Sequence, residues 1–171
     1  MENKNIPIET EVKYLIDMPS IERLLEIPNV RVKQIIQTYL FSPQGVTRRI
    51  RKLEECGTVK YILTEKIRIS DLSALEDERI ISEEEYNVLL LEADTGRTPI
   101  EKTRYAFDYK DHTIEIDVYS FWNDVAILEI ELSSEGEEYY IPKLINVLKN
   151  VTSDKRYKNA NLAKNHDFSH F

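Results

Sequence analysis

The chain has 171 residues, and 31 Asp+Glu against 23 Lys+Arg give a formal net charge of −8. Hydrophobic residues at 42 % beside charged residues at 32 % describe a globular domain rich in charge and speak against disorder. A single cysteine, Cys56, excludes an internal disulfide; three histidines argue against a Cys/His zinc site, and the acidic balance argues against a nucleic-acid partner. No apolar run approaches the ~20 residues a bilayer demands, and the start MENKNIPIETEVK has no signal-peptide core. A cytoplasmic protein with no membrane partner is therefore expected.

With no internal repeat and no Gly/Ser/Pro linker, residues 1–171 read as one domain. Period-2 alternation predicts strands near 6–16, 34–42, 46–54, 58–68, 74–81, 101–109, 113–120 and 125–132. The turns Ser42-Pro43-Gln44-Gly45, Glu55-Cys56-Gly57, Lys110-Asp111 and Trp122-Asn123-Asp124 are short enough to join neighbours as antiparallel hairpins. Ser20 can cap a short helix through Glu26, which Pro28 ends. Ser82 and Glu85 have capping-box form ahead of Tyr86, Leu89, Leu90 and Ala93 at helical spacing. Two further helices are predicted near 142–149 and 158–165. Eight mostly sequential antiparallel strands hide their edges by closing on themselves, so the expected fold is α+β, a closed barrel with helices packed outside.

The alternating residues carry the chemistry. Glu9, Glu11 and Lys13 share one face of the first strand, while Ile8, Val12 and Tyr14 share the other. The same rule pairs Arg49 with Arg51, Lys60 and Thr64 with Lys66, Glu76 with Glu78, Lys102 with Arg104, Glu115 with Asp117, and Glu129 with Glu131. An ordinary wet sheet face also alternates. What it does not do is sort whole strands into purely acidic or purely basic rows, because like charges at i, i+2 cost energy unless an opposite charge compensates. Rows facing into a closed barrel would set acidic walls against basic ones. Crowded carboxylates call for a cation, and an all-oxygen donor set suits Mg²⁺ or Mn²⁺. The basic rows call for a highly charged anion such as a linear polyphosphate.

These residues resemble the CYTH superfamily, the triphosphate tunnel metalloenzymes. The resemblance starts with Glu9-x-Glu11-x-Lys13, an ExExK signature, and continues in order through Gln37-Thr38-Tyr39-Leu40, Arg49-x-Arg51, Thr64-x-Lys66, Glu76-x-Glu78, Glu101-Lys102-Thr103-Arg104-Tyr105, Glu115-x-Asp117, Glu129-x-Glu131 and Asp154-Lys155-Arg156-Tyr157-Lys158-Asn159. It covers residues 6–164 and implies an eight-stranded antiparallel tunnel. It further implies Glu9, Glu11, Glu129 and Glu131 as metal-side carboxylates with Glu78 and Asp117 as helpers. Lys13, Arg49, Arg51, Lys66, Lys102 and Arg104 become triphosphate-binding cations, with Arg156 contributing from the carboxy-terminal segment. Lys13 and Tyr39 stand where some members carry a water-activating dyad. Glu76-Asp77-Glu78-Arg79 departs from the family pattern in lacking an aliphatic residue after the second acid.

The expected activity is Mg²⁺- or Mn²⁺-dependent hydrolysis of a small-molecule triphosphate, inorganic tripolyphosphate first and nucleoside or thiamine triphosphate next, by a monomer or homodimer. Water is activated either by Lys13 and Tyr39 or by a second metal. The rivals are a class IV adenylyl cyclase, which would need an adenine pocket that no residues announce, and a non-catalytic polyphosphate- or nucleotide-binding module. Cys56 and His112 read as turn residues, Trp122 as packing, and Asn165–Phe171 as a tail that frays.

Overall fold

The computed structural model describes residues 7–170. Its strands are β1 (Ile8–Asp17), β2 (Arg31–Leu40), β3 (Val46–Glu55), β4 (Thr58–Arg68), β5 (Ser73–Ile81), β6 (Ile100–Tyr109), β7 (His112–Tyr119), β8 (Val125–Leu132) and β9 (Val147–Asn150). They form one sheet in the order β5-β4-β3-β2-β6-β7-β8-β1-β9, and a further β5–β1 pairing closes β1 to β8 into an antiparallel barrel, as expected. The closing seam is short: Ile8↔Leu75, Glu9↔Ala74 and Thr10↔Ser73, extended by Glu11 N–H to Leu72 O and Glu76 N–H to Pro7 O, both at 3.1 Å. The predicted first residue, Ile6, lies outside the described residues, and β2 starts three residues earlier than the predicted 34, at Arg31.

Hairpin chemistry fixes the register. Cys56 (φ 49°) and Gly57 (φ 75°) make the two-residue turn between β3 and β4 with positive φ at both positions, the conformation that suits the right-handed twist of paired strands. Helices α1 (Ile21–Leu25) and α2 (Glu83–Leu89) begin at the predicted caps: Ser20 Oγ accepts from Arg23 N–H and Ser82 Oγ from Glu85 N–H.

The predicted helix near 142–149 does not form. Once β5 has left β1, the upper edge of β1 exposes unpaired backbone, and Val147–Asn150 fill it as β9, pairing Tyr14↔Asn150 and Leu15↔Lys149. Satisfying that edge outweighs a local helical spacing that already contains Asn146. The helix predicted over 158–165 shortens to α3 (Asn159–Leu162).

Apolar rows face outward, beneath covering elements. Val12, Tyr105, Phe107, Ile114, Ile116, Leu128 and Ile130 pack under α1 through Leu24 and under Tyr139, Ile141 and Ile145. Leu40, Ile50, Leu63 and Ile81 pack under α2 through Tyr86 and Leu89. A third cluster seals one end of the barrel: Leu15, Tyr39, Ile100, Tyr119 and Ile127 meet Trp122, Val151, Tyr157, Leu162 and Ala163. Trp122 is thus packing, as read, with its indole N–H on His166 O at 3.1 Å. The tail does not hang free: His166 stacks on Phe121 at 4.1 Å and Tyr157 OH meets His170 Nδ1 at 3.1 Å, whereas Phe171 lies outside the described residues. His112 is buried at the start of β7, 3.4 Å from Glu137. No helix among the described residues is long and apolar enough to cross a membrane.

Candidate active site

The inward rows enclose a cavity of about 370 Å³. Lys13, Arg49, Arg51, Lys66, Lys102 and Arg104 all line it, and so do Glu9, Glu11, Glu78, Glu129, Glu131 and Tyr39. Charges that alternate on β1 and on β3 to β8 therefore meet in one interior, because a closed barrel gives every strand the same inside. At the sealed end the carboxy-terminal segment is tied to β1. Lys13 N–H donates to Thr152 Oγ1 at 2.9 Å, and Val151 N–H donates to Lys13 O at 2.9 Å. Lys158 and Asn159 then reach the cavity.

Each of the six predicted cations in the cavity is matched with acid. Arg104 holds Asp117 through Nε at 2.7 Å, Glu129 through Nη2 at 2.7 Å, and Glu115 through Nη1. Lys13 lies 2.5 Å from Glu129 and 3.6 Å from Glu11, and Lys102 is bonded to Asp117. On the other wall Arg49 meets Glu76 at 3.0 Å, Lys66 meets Glu76 at 2.9 Å and is bonded to Glu9, and Arg51 meets Glu78 at 2.6 Å. The side chains grade from fully dry at Asp117 (0 % exposed) and Lys13 (3 %) to wet at Glu78 (40 %).

This packing shifts the protonation equilibria. Burial alone would lower the Lys13 pKa, but the carboxylates of Glu11 and Glu129 outweigh it and hold the ammonium well above its ordinary range. Lys102 goes the other way, down to about 8, because burial and Arg104 outweigh Asp117. Burial and the charge of Glu11 push Glu9 up to about 7 against the pull of Lys66. Glu76 is held low, since Arg49 and Lys66 overcome its burial. Burial raises Tyr39, only partly offset by Arg49 and Lys13; its hydroxyl accepts from Gln37 Nε2 at 2.8 Å.

Two predicted residues sit elsewhere. Arg156 is exposed on the outer side of the carboxy-terminal segment, held by Asp154 at 2.7 Å, and does not line the cavity; the residue two positions on, Lys158, does. Asp117 is buried behind the cavity wall as the anchor of Lys102 and Arg104. The lining residues outside the predicted set include Glu76, Glu115, Gln37 and Lys158. Period-2 alternation already sets Glu76 and Glu115 on the rows of Glu78 and Asp117; what it left unassigned was their place in the site. Lys158 follows no strand periodicity, and its place depends on the turn that begins at Asp154.

Arg51 carries a cost in the free protein. Burial and the neighbouring charges of Arg49 and Arg104 depress its pKa, and its partner Glu78 is partly solvated. Arg51→Ala should therefore raise the melting temperature of the ligand-free protein, by roughly 2–4 °C if the relief is about 1 kcal/mol. It should also shrink the upward shift produced by tripolyphosphate. Scanning calorimetry with and without that anion checks both.

The carboxylates of Glu9, Glu11, Glu129 and Glu131 suit a hard cation. They offer only oxygen, Glu11 and Glu131 face each other across the β1–β8 register, and burial together with the charge of Glu11 raises Glu9 to about 7. Among the described residues no three His, Cys, Asp or Glu side chains converge on one ligation point, because Glu9 and Glu129 are turned to Lys66 and Lys13. Binding a cation would require those partners to separate.

A closed antiparallel barrel whose interior sets basic rows against acidic ones defines a tunnel fold for polyanions. The inorganic triphosphatase of Acetivibrio thermocellus is 35 % identical over 130 residues, covering 75 % of this chain and 79 % of that protein. The solved inorganic triphosphatase NE1496 aligns at 28 % identity with a TM-score of 0.57, covering 91 % of this chain and 94 % of that one. The PH1819 protein from Pyrococcus horikoshii OT3 shares the fold at 24 % identity and a TM-score of 0.59, covering 75 % and 80 %. No protein-family model matches the chain. The chain belongs to the CYTH superfamily, the triphosphate tunnel metalloenzymes.

Proposed function

We propose that this protein is a triphosphatase that hydrolyses inorganic tripolyphosphate with Mg²⁺ or Mn²⁺. The observation that carries the reading is the gathering of Lys13, Arg49, Arg51, Lys66, Lys102 and Arg104 around one cavity sealed at one end. Both relatives reported above as inorganic triphosphatases support it. The cavity is built from a single chain, so the reading needs no partner subunit.

In the free protein the carboxylates hold the cations in place; on binding, phosphoryl oxygens would take over as their partners. Arg49, Arg51 and Arg104 supply forked donors, and Lys13, Lys66 and Lys102 supply compact charges along the phosphate chain. Glu9, Glu11, Glu129 and Glu131 would hold the cation, with Glu78 and Asp117 steadying neighbouring bases. A bound divalent ion supplies neutralisation of charge on the phosphoryl oxygens. Water oxygen bonds to the terminal phosphorus, the bridging P–O bond breaks, and its electron pair leaves on pyrophosphate. Positioning and charge stabilisation are what this reaction asks of a protein.

Lys13 stays protonated and acts as an electrostatic anchor, not a base. Tyr39, with its pKa raised and its hydroxyl held by Gln37, orients and does not deprotonate. Tyr39→Phe is accordingly expected to lower kcat by less than about tenfold, whereas a general base would cost 10²–10⁴. Steady-state phosphate release measures it.

Metal binding must expel the proton that Glu9 carries below pH ~7. Metal affinity should therefore fall by up to about tenfold per unit as pH drops from 7 toward 5, and level off above 8. Calorimetric titration of Mn²⁺ in buffers of different ionisation enthalpy reports both the affinity and the released proton. The same shift fixes a sign for stability. Glu9 is raised, so its contribution to the metal-free fold is present below its ordinary pKa and is lost as pH rises through 7.

The functional reading is tested by ³¹P NMR of tripolyphosphate incubated with Mg²⁺ or Mn²⁺. Equimolar orthophosphate and pyrophosphate are expected. Tight binding without turnover would make the chain a binding module, and conversion of ATP to cyclic AMP and pyrophosphate would make it a cyclase.

A further inference from the structure

A cation outside the cavity is built against a residue inside it. Tyr39 lines the cavity and also packs into the cluster that seals one end. Its hydroxyl accepts from Gln37 Nε2, which leaves its own proton to be donated. Arg49, its register partner on β3, reaches Gln37 Oε1 at 3.4 Å. Arg97, which does not line the cavity, sets its guanidinium carbon 5.2 Å from the centroid of the Tyr39 ring. The chain leading from α2 to β6 holds it there. That segment bridges to β2 at Ala93 and Leu40, and Asp94 N–H donates to Tyr39 O at 2.9 Å. Asp94 Oδ1 accepts from Gly96 N–H at 3.0 Å, Asp94 Oδ2 meets Arg97 Nη1 at 3.2 Å, and Thr98 N–H donates to Ala163 O at 2.7 Å. Asp94 thus anchors both the backbone of Tyr39 and the cation on its ring.

A solvated ion pair three residues apart contributes little and holds neither partner in place. This one is mostly covered, with Arg97 17 % and Asp94 20 % exposed, and the buried Nε of Arg97 has no hydrogen-bond partner among the described residues. An orphaned donor lowers stability in a way that a plain aliphatic side chain at the same place would avoid. What the guanidinium gains in return is the ring face, a favourable seat for a cation within about 6 Å. We propose that Arg97 is a positioning residue for triphosphate hydrolysis: it pins the Tyr39 ring so that the hydroxyl, held by Gln37, donates its proton toward the terminal phosphoryl group. The proposal rests on the triphosphatase reading and extends it to a residue that touches neither phosphate nor metal. Arg97 transfers no proton and acts only through Tyr39. Burial raises the Tyr39 pKa, and Arg97 joins Arg49 and Lys13 in offsetting that rise, which keeps the hydroxyl a good donor.

The test is a double-mutant cycle on tripolyphosphate hydrolysis with Arg97→Met, which keeps the stem and removes the charge, and Tyr39→Phe, which keeps the ring and removes the hydroxyl. In the wild-type background Arg97→Met should lower kcat by about three- to fivefold with KM within about twofold. In the Tyr39→Phe background the same change should leave kcat within about 1.5-fold, because no hydroxyl remains to be aimed. Melting temperature behaves differently. Phenylalanine still offers a ring face, so Arg97→Met should lower the melting temperature by a similar amount in both backgrounds, and a merely structural role would move stability without splitting kcat. Asp94→Asn is the second variant: its amide oxygen can still accept from Gly96 N–H while the charge that holds Arg97 is gone, so kcat should fall in the wild type and not in Tyr39→Phe. An unchanged kcat in the wild-type background, or equal losses in both backgrounds, overturns the proposal. So does a rise in KM at constant kcat, which would make Arg97 a phosphate contact. Absence of turnover in the wild type overturns the functional reading and the role of Arg97 with it, whereas turnover with an additive cycle overturns the role of Arg97 alone.

Discussion

Arg104→Ala should destabilise the protein by about 3–5 kcal/mol, the range for removing one partner from a buried ion network. The guanidinium holds Asp117, Glu129 and Glu115, and of these Asp117 is fully buried. Without it those carboxylates remain close together in the dry part of the barrel with only Lys13 and Lys102 to offset them. They would have to take up protons or water, and either disrupts the β6–β7–β8 wall. For a domain of this size the loss corresponds to roughly 6–20 °C in melting temperature. Adding Asp117→Asn to Arg104→Ala should restore part of it, because the second change removes the charge that the first one stranded. Thermal denaturation of the two variants measures the coupling, and a fall of less than about 1 kcal/mol for Arg104→Ala would mean that the network is solvated.

The largest effect on activity is expected from Glu131→Gln. Glu131 lies across from Glu11 on β8, lines the cavity and, among the described residues, makes no ion pair, unlike Glu129 on the same row. The substitution is nearly isosteric and removes one negative charge facing another, so the metal-free fold should keep its melting temperature within about 2 °C. Losing one ligand charge should lower kcat/KM by at least about hundredfold, since a bound cation is worth several kcal/mol to a phosphoryl transition state. Wild-type turnover by Glu131→Gln at limiting Mg²⁺ would remove Glu131 from the metal side. Arg104 and Glu131 thus separate two roles that composition cannot tell apart. One charge holds the interior together, and the other is left available.

That distinction also marks what the sequence could convey. Sidedness was legible, because period-2 alternation puts Arg49 beside Arg51 and Glu129 beside Glu131 on one face whatever the strands do next. Closure followed from the short hairpins and the need to hide edges, and the structure has it at Ser73–Leu75 against Ile8–Thr10. Pairing between rows was not legible. Whether Glu76 or Glu78 would meet Arg49 depends on the register of β3, β4 and β5, which no single strand encodes. The role of Asp117 as a buried anchor likewise needs the β6–β7 register that sets it opposite Arg104. The carboxy-terminal segment was harder still. Its 142–149 stretch reads as a helix locally, and only the vacant edge of β1 turns Val147–Asn150 into a strand. Arg156 lies in a short 3-10 turn and Lys158 caps its end, where the spacing that serves strands says nothing about which one faces inward. Apolar Ile35, Leu53 and Ile62 were hidden for the opposite reason: aliphatic residues in a strand are read as core, and here they face the cavity.

The most direct test of the central claim is a crystal structure of the protein with tripolyphosphate and Mn²⁺, read from the anomalous signal of manganese. Phosphorus density should run between Arg49, Arg51, Lys66 and Arg104 inside the barrel, with manganese on the Glu9, Glu11, Glu129 and Glu131 side and their present lysine contacts released. Tripolyphosphate bound on the outer surface, or manganese away from those four glutamates, would contradict it.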